Sequence, residues 1–320
     1  CCIAGQQNLV VDRLVYFDGS GAVHRCGFFF MSRVPLLDLL IPAYEHPEGL
    51  LRILNSLIHA PHEVRIVVND DSTTTKVEDC LKGHVLAQRV IYHRNQPSLG
   101  AIPNWNALLA KSNAPYAMVL HHDECPMKDD FWDVLVKNLR TAPDMVMVDL
   151  WVPGIWPGTV RLHTPRRLRR WIVNRFPAYL LRRNVLGPPS VIVLKESLRV
   201  PFDPRIPWMV DVEWYHRILC VGGYKVHSLD GAALVHTGHG HSISQSMEGT
   251  PTQRRCKESR ILLESGHRSS VLRLNAGTSF GYRFLAAFET AVWMVVRVYH
   301  RIGLGLFRFQ SLPHHLRKVL

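Results

Sequence analysis

Between Leu150 and Lys195 the chain carries no aspartate or glutamate. It also lacks any uncharged apolar run of about 18 residues, which excludes a simple membrane span. No C-x-x-C pair occurs among its seven cysteines (Cys1, Cys2, Cys26, Cys80, Cys125, Cys220 and Cys256), so a disulfide scaffold is excluded. Adjacent Cys1 and Cys2 suit neither zinc nor a bridge, and the thiols read as reduced, in a cytosolic protein. Internal repeats and low-complexity tracts are missing too. Charged residues make up only 20% against 47% hydrophobic, which excludes disorder and leaves enough apolar surface for a sizeable core.

What is present leans basic. The 320 residues hold 38 Lys+Arg against 26 Asp+Glu, a formal net charge of +12. Such an excess calls for an anionic partner: phosphate, nucleic acid or a lipid surface. The acid-free window supplies nine cations (Arg161, Arg166, Arg167, Arg169, Arg170, Arg175, Arg182, Arg183 and Lys195). Residue 1 is not Met, and Met31 directly precedes SRVPLLDLLIP. Residues 1–33 are therefore expected to be a non-core N-terminal extension.

From residue 36 short apolar runs alternate with helical patterns. LLDLLIP (36–42), VRIVVN (64–69), RVIYH (89–93), YAMVLH (116–121) and MVMVDL (145–150) read as strands. Leu50, Leu51, Ile53, Leu54, Leu57 and Ile58 repeat at helical spacing, and NWNALLAKS (104–112) and FWDVLVKNL (131–139) read as helices. This alternation predicts an α/β fold, a mostly parallel sheet flanked by helices. SVIVLK (190–195) is a later strand, and a helix is expected from about Met209 to Cys220. Residues 281–302 form a long amphipathic pattern, so the chain ends in a helical extension.

Ligands of open α/β sheets bind at the carboxyl ends of the strands. Polar clusters fall there: Asp70-Asp71-Ser72, His121-His122-Asp123-Glu124, the Asp211-x-Glu213 pair, and His236, His239 and His241. His121 and Asp123, two apart, share a side of an extended segment and suit a divalent cation. The plain alternative is a solvated loop; for Asp211 and Glu213 it is a helix start offset by acids.

The ordered set LLIPAYEHPEGLLRILNSL, IVVNDDS, NQPSLGAIPNWNALLAKSNAPYAMVLHHDE and D-x-E-W-Y resembles the family 2 glycosyltransferases over roughly residues 34–245. The resemblance implies a GT-A fold and an inverting enzyme that takes a sugar from a nucleotide-diphosphate donor, with UDP the default. It divides the chain into a nucleotide-sugar half (34–150), an acceptor and catalytic half with an Arg-rich insert (151–245), and C-terminal amphipathic helices (246–320). Pro42, Ala43 and Tyr44 match the loop that lines the nucleotide, and Asp70 the acid that hydrogen-bonds the base. Gly100, Asn104 and Asn106 match a stretch that approaches the donor; His122 and Glu124 join this donor-binding set. The D-x-D metal motif falls on His121-His122-Asp123, so Asp123, His121 and a late histidine, best matched by His239, are the implied Mn²⁺ or Mg²⁺ ligands. Asp211 matches the catalytic base, with Val210 where the family has Glu.

The window PRRLRRWIVNRFPAYLLRR mixes Arg with Trp171, Phe176 and Tyr179. It suits a glycan or lipid-linked phosphate acceptor, or an anionic membrane surface. That places the chain at the inner face of the plasma membrane, in polysaccharide or lipopolysaccharide synthesis. Nucleic acid is disfavoured, since no aromatic-and-basic motif recurs elsewhere. Two rival readings remain: a metal-dependent hydrolase built on the His and Asp clusters, and a non-catalytic basic membrane-binding module.

Overall fold

The computed structural model describes residues 16–17, 23–24, 35–154, 159–221, 224, 226–236, 248–266, 270–276, 280–301 and 306–308. Residues 1–34 and 35–320 form two compact units. In the first, β1 (Tyr16–Phe17) pairs antiparallel with β2 (Val23–His24).

The second unit is built on one sheet. Its first half is parallel. β3 (Leu37–Ala43) lies between β4 (Val64–Asp70) and β6 (Tyr116–Val119), and β5 (Val90–Arg94) pairs with β4. Every residue of β3 is buried, as its continuous apolar run requires of a strand covered on both faces. The exception in kind is Asp38. Burial alone would raise its pKa, but paired hydrogen bonds from Arg65 (2.7 and 2.7 Å), the Ala114 amide and Ser112 hold it below the ordinary value.

Helices cover this half. In α1 (Pro47–Ser56), His46 caps the Gly49 amide at 3.0 Å, and Leu50, Ile53 and Leu54 pack inward at helical spacing. α2 (Lys76–Lys82), α3 (Ala101–Lys111) and α4 (Phe131–Leu139) follow.

The second half of the sheet turns antiparallel. β8 (Met145–Pro153) and β6 are bridged by β10 (Ile192–Lys195), which runs against both. β9 (Thr159–Leu162) adds to β8, and β12 (Leu306–Arg308) to β9. β11 (Val226–His236) is parallel to β8 and antiparallel to the short β7 (Glu124–Pro126). The sheet is thus mixed, ten-stranded among the described residues.

The Arg-rich window forms α5 (Arg166–Arg175) and the turns after it. Four of its arginines are engaged in ion pairs with acids from other elements. Arg166 and Arg169 both bind Asp149 (2.5 and 2.6 Å), Arg170 binds Asp230 (2.7 Å), and Arg182 binds Glu289 (2.8 Å). α6 (Val210–His216) ends in a wider turn over Arg217–Val221. Then come α7 (Pro251–Glu264), α8 (Ser270–Ala276) and α9 (Phe280–Arg301). In α9, Glu289 and Trp293 face inward, and Val292, Met294, Val295 and Val298 are exposed. Among the described residues no helix is long and apolar enough to cross a membrane.

Candidate active site

A cavity of about 900 Å³ is lined by the ends of β3 and β6, the loop after β4 and the start of α6. The first wall is two loops stitched together. Glu45, at φ +46°, follows β3. Its carboxylate accepts from the hydroxyls and amides of Thr73 and Thr74 (2.5–3.0 Å). These bonds, led by the Thr74 hydroxyl, hold the Glu45 carboxyl at about 2. The clamp presents Tyr44, 53% exposed, beside Pro42 and Ala43 at the cavity edge.

Asp70 and Asp71 divide their labour differently from the sequence expectation. Asp70 is fully buried and does not line the cavity; it accepts from the Ser72 amide (2.9 Å) and the Tyr92 hydroxyl (2.6 Å). Asp71 lines the cavity. It accepts from Asn95 Nδ2, Ser98 Oγ and the amides of Leu99 and Gly100 (2.7–2.8 Å), tying the loop after β5 to the end of β4. Gly100 lines the cavity at φ +85°, a conformation glycine adopts without strain. Asn104 also lines it, and joins Asn69 (2.6 Å) and Asn95 (3.1 Å) in a buried amide network. Asn106 stands apart: it exchanges two hydrogen bonds with the Phe202 backbone (2.9 and 2.7 Å).

The segment after β6 brings the acids in. Asp123, Glu124 and His236 offer ligand atoms within 4.8 Å of one another. Strand pairing explains this: the antiparallel register of β7 and β11 sets His236 directly opposite Glu124. His236 Nδ1 lies 3.6 Å from Asp123. Burial, then the Asp123 charge, pushes the Glu124 carboxyl well above its ordinary value, despite a hydrogen bond from the His121 amide (3.2 Å). Two carboxylates and an imidazole are a donor set that fits Mn²⁺, and the mutual repulsion is what a cation relieves. His121 and His122 line the same cavity outside this group; the His121 ring meets Trp105 edge-on (4.6 Å) and His122 lies 5.1 Å from His46. His239 and His241 lie outside the described residues.

Asp211 reaches the cavity from the first turn of α6. Burial and then the nearby Asp123 charge raise it from 3.8 to about 7. Glu213 is buried elsewhere, ion-paired with Arg217. The remaining wall is largely apolar, with Leu150, Val152, Pro188, Pro207 and Trp208. His163 stands in it, its pKa lowered by burial and Arg161 to about 4, and is therefore neutral at physiological pH.

Sequence reasoning missed Asp71 as the cavity-facing acid, and held His236 only as a rival to His239. Adjacent strand residues point to opposite faces, so the identity of the inward acid turns on one residue of register.

Residues 38–193 match the model for Glycosyl transferase family 2. No curated protein matches the chain. Among solved structures, that of S. aureus TarS 1-349 in complex with UDP-GlcNAc is similar, with TM-score 0.55 and 12% identity, over 73% of this chain and 67% of that one. The same S. aureus protein in complex with UDP gives TM-score 0.51 and 12% identity, over 73% and 66%. At that identity the likeness is one of fold.

Proposed function

From the match of residues 38–193 to the family 2 glycosyltransferase model, we propose that the chain is an inverting, divalent-cation-dependent glycosyltransferase that takes its sugar from a UDP-sugar donor. One observation carries the reading: Asp123, the donor-side acid, and Asp211, the proposed base, line one cavity. The bound UDP and UDP-GlcNAc of the similar TarS structures favour uridine as the nucleoside. Asp123, Glu124 and His236 would hold the cation. When bound, it neutralises charge on the departing diphosphate.

The protein's own residues do the rest. Tyr44 and the stitched loops bind the nucleotide, with Asp71 fixing the Gly100 turn beside it. Asp211 takes the proton of the acceptor hydroxyl as its oxygen bonds the anomeric carbon. The carbon's bond to the diphosphate breaks in the same step, and the electron pair leaves with UDP. A single displacement inverts the anomeric configuration, through a transition state with oxocarbenium character. The apolar wall with Trp208 takes a glycan or lipid-linked acceptor.

A thermal-shift screen tests this. UDP with Mn²⁺ at about a hundred times Kd should stabilise the chain by about 2.7 kcal/mol, a rise of several degrees in Tm. No shift with any nucleoside diphosphate and metal would remove the donor reading. Two tightly held zinc ions on metal analysis would favour the hydrolase.

The acceptor context proposed is an anionic membrane surface, at the inner face of a plasma membrane. On α5, Trp171 and Phe176 are 56% and 53% exposed with ring centroids 4.7 Å apart. Arg167 and Arg175, four residues either side of Trp171, flank them on the same helical face. With the other α5 arginines engaged by acids, these two supply the attraction, about 1 kcal/mol each. Arg167→Glu with Arg175→Glu should weaken binding to phosphatidylglycerol vesicles by at least roughly 30-fold. Sedimentation with those vesicles, against neutral phosphatidylcholine, measures it; equal binding to both lipids would refute the electrostatic docking.

A further inference from the structure

Helix α7 lies beyond the family match, yet it grips the two residues that lead into α6. Glu258 is 4% exposed. Its Oε1 accepts from the Trp208 amide at 2.9 Å and its Oε2 from the Met209 amide at 2.7 Å. From the same face of α7, Ser259 Oγ reaches Met209 Sδ (3.7 Å) and the Arg255 guanidinium sits over the Trp208 ring at 5.4 Å. Asp211 follows two residues after Met209, in the first turn of α6. The other end of α6 is anchored separately, by Trp214 Nε1 on the Val200 carbonyl (2.8 Å) and the Tyr215 hydroxyl on the Pro188 carbonyl (2.6 Å).

A buried carboxylate is a costly way to fill space, since its desolvation weakens or cancels the stability it brings. What it gives is direction: two oxygens on two successive amides fix both the position and the rotation of the segment. An angular error at the start of α6 would swing Asp211 away from the acceptor hydroxyl, and misplacement by about 1 Å costs on the order of 100-fold in rate.

We propose that Glu258 is a positioning residue for sugar transfer: it holds Trp208 and Met209 so that Asp211 meets the acceptor. This rests on the reading of Asp211 as the base. α7 then belongs to the catalytic apparatus. The donor wall, built on β3, β4 and β6, is independent of it.

The test compares full-length wild type with Glu258→Ala, Glu258→Gln and Asp211→Asn. Hydrogen exchange reads the amides of 208–213, calorimetry reads affinity for UDP with Mn²⁺, and UDP release from UDP-GlcNAc, UDP-glucose and UDP-galactose reads turnover. Glu258→Ala should speed exchange at 208–213 at least tenfold, leave exchange at 37–94 and UDP affinity within twofold, and lower kcat at least tenfold with donor KM unchanged. Glu258→Gln, which keeps one acceptor for these amides, should recover part of the kcat. Unchanged exchange at 208–213, or parallel losses of kcat and UDP affinity, overturn the proposal. Normal kcat in Glu258→Ala beside an inactive Asp211→Asn overturns the positioning role alone. Normal kcat in Asp211→Asn overturns the base reading, and the positioning role with it.

Discussion

Asp211→Asn is expected to lower turnover by roughly 10²- to 10⁴-fold while UDP affinity stays within about twofold, because only the proton transfer is lost. The amide fills the same space and accepts no proton. UDP release under saturating donor, beside calorimetric UDP binding, separates the two effects. The wild-type rate should climb as pH rises through about 7, where burial and Asp123 hold the Asp211 carboxyl, since the base acts ionised. Cancelling the Asp123 charge with a cation moves that climb to lower pH, because only burial then opposes ionisation. Stability runs the other way. The folded state holds the Asp211 proton more tightly than the unfolded chain, so this carboxyl lowers stability as pH rises from 3.8 to about 7. Metal-free Asp211→Asn should therefore melt higher than wild type at pH 8 and equally at pH 3.5. Near-normal turnover in the variant would show that another group takes the proton.

The parallel half of the sheet was legible because its strands are continuous apolar runs. LLDLLIP contains most of β3, VRIVVN all but the last residue of β4, and FWDVLVKNL is α4 residue for residue. Buried parallel strands carry that signal in their own composition. β7 and β9 carry none: three and four residues show no period, and partners far along the chain decide their pairing. The site follows the same division. Asp123 and Asp211 could be placed at element ends from local pattern. His236 could not be chosen over His239 and His241, because its claim is the register of β11 against β7. The Arg-rich window read as unspent charge because its acids are remote; Asp149, Asp230 and Glu289 come from outside it. In the last helix too, a remote partner, Arg182, helps decide which face packs. Glu289 and Trp293 form part of its packed face, and Val292 and Val295 are open to solvent.

Asp123→Ala should abolish the metal dependence of donor binding. Asp123 shares its ligand group with Glu124 and His236, and each would hold the proposed cation. Outer-shell changes around a metal cost about 10- to 100-fold in affinity, so loss of a direct ligand should cost at least ~100-fold. UDP affinity with Mn²⁺ should fall to its metal-free value. The same substitution removes the charge that helps raise both Glu124 and Asp211. Both folded-state pKa values then move down toward their ordinary 4.5 and 3.8, and the loss of stability with rising pH shrinks. Metal-free Asp123→Ala should accordingly melt above wild type at pH 8. The gain from relieved repulsion should shrink toward pH 3.5, where the folded chain keeps Glu124 and Asp211 protonated. Adding Mn²⁺ should reverse the order at pH 8, since only wild type gains from binding it. Melting curves at the two pH values, with and without Mn²⁺, read all of this from one variant. A basic binding module has no reason to give that reversal. If Asp123→Ala keeps the Mn²⁺-dependent rise with UDP, the cation sits elsewhere and the proposed donor chemistry fails at its charged centre.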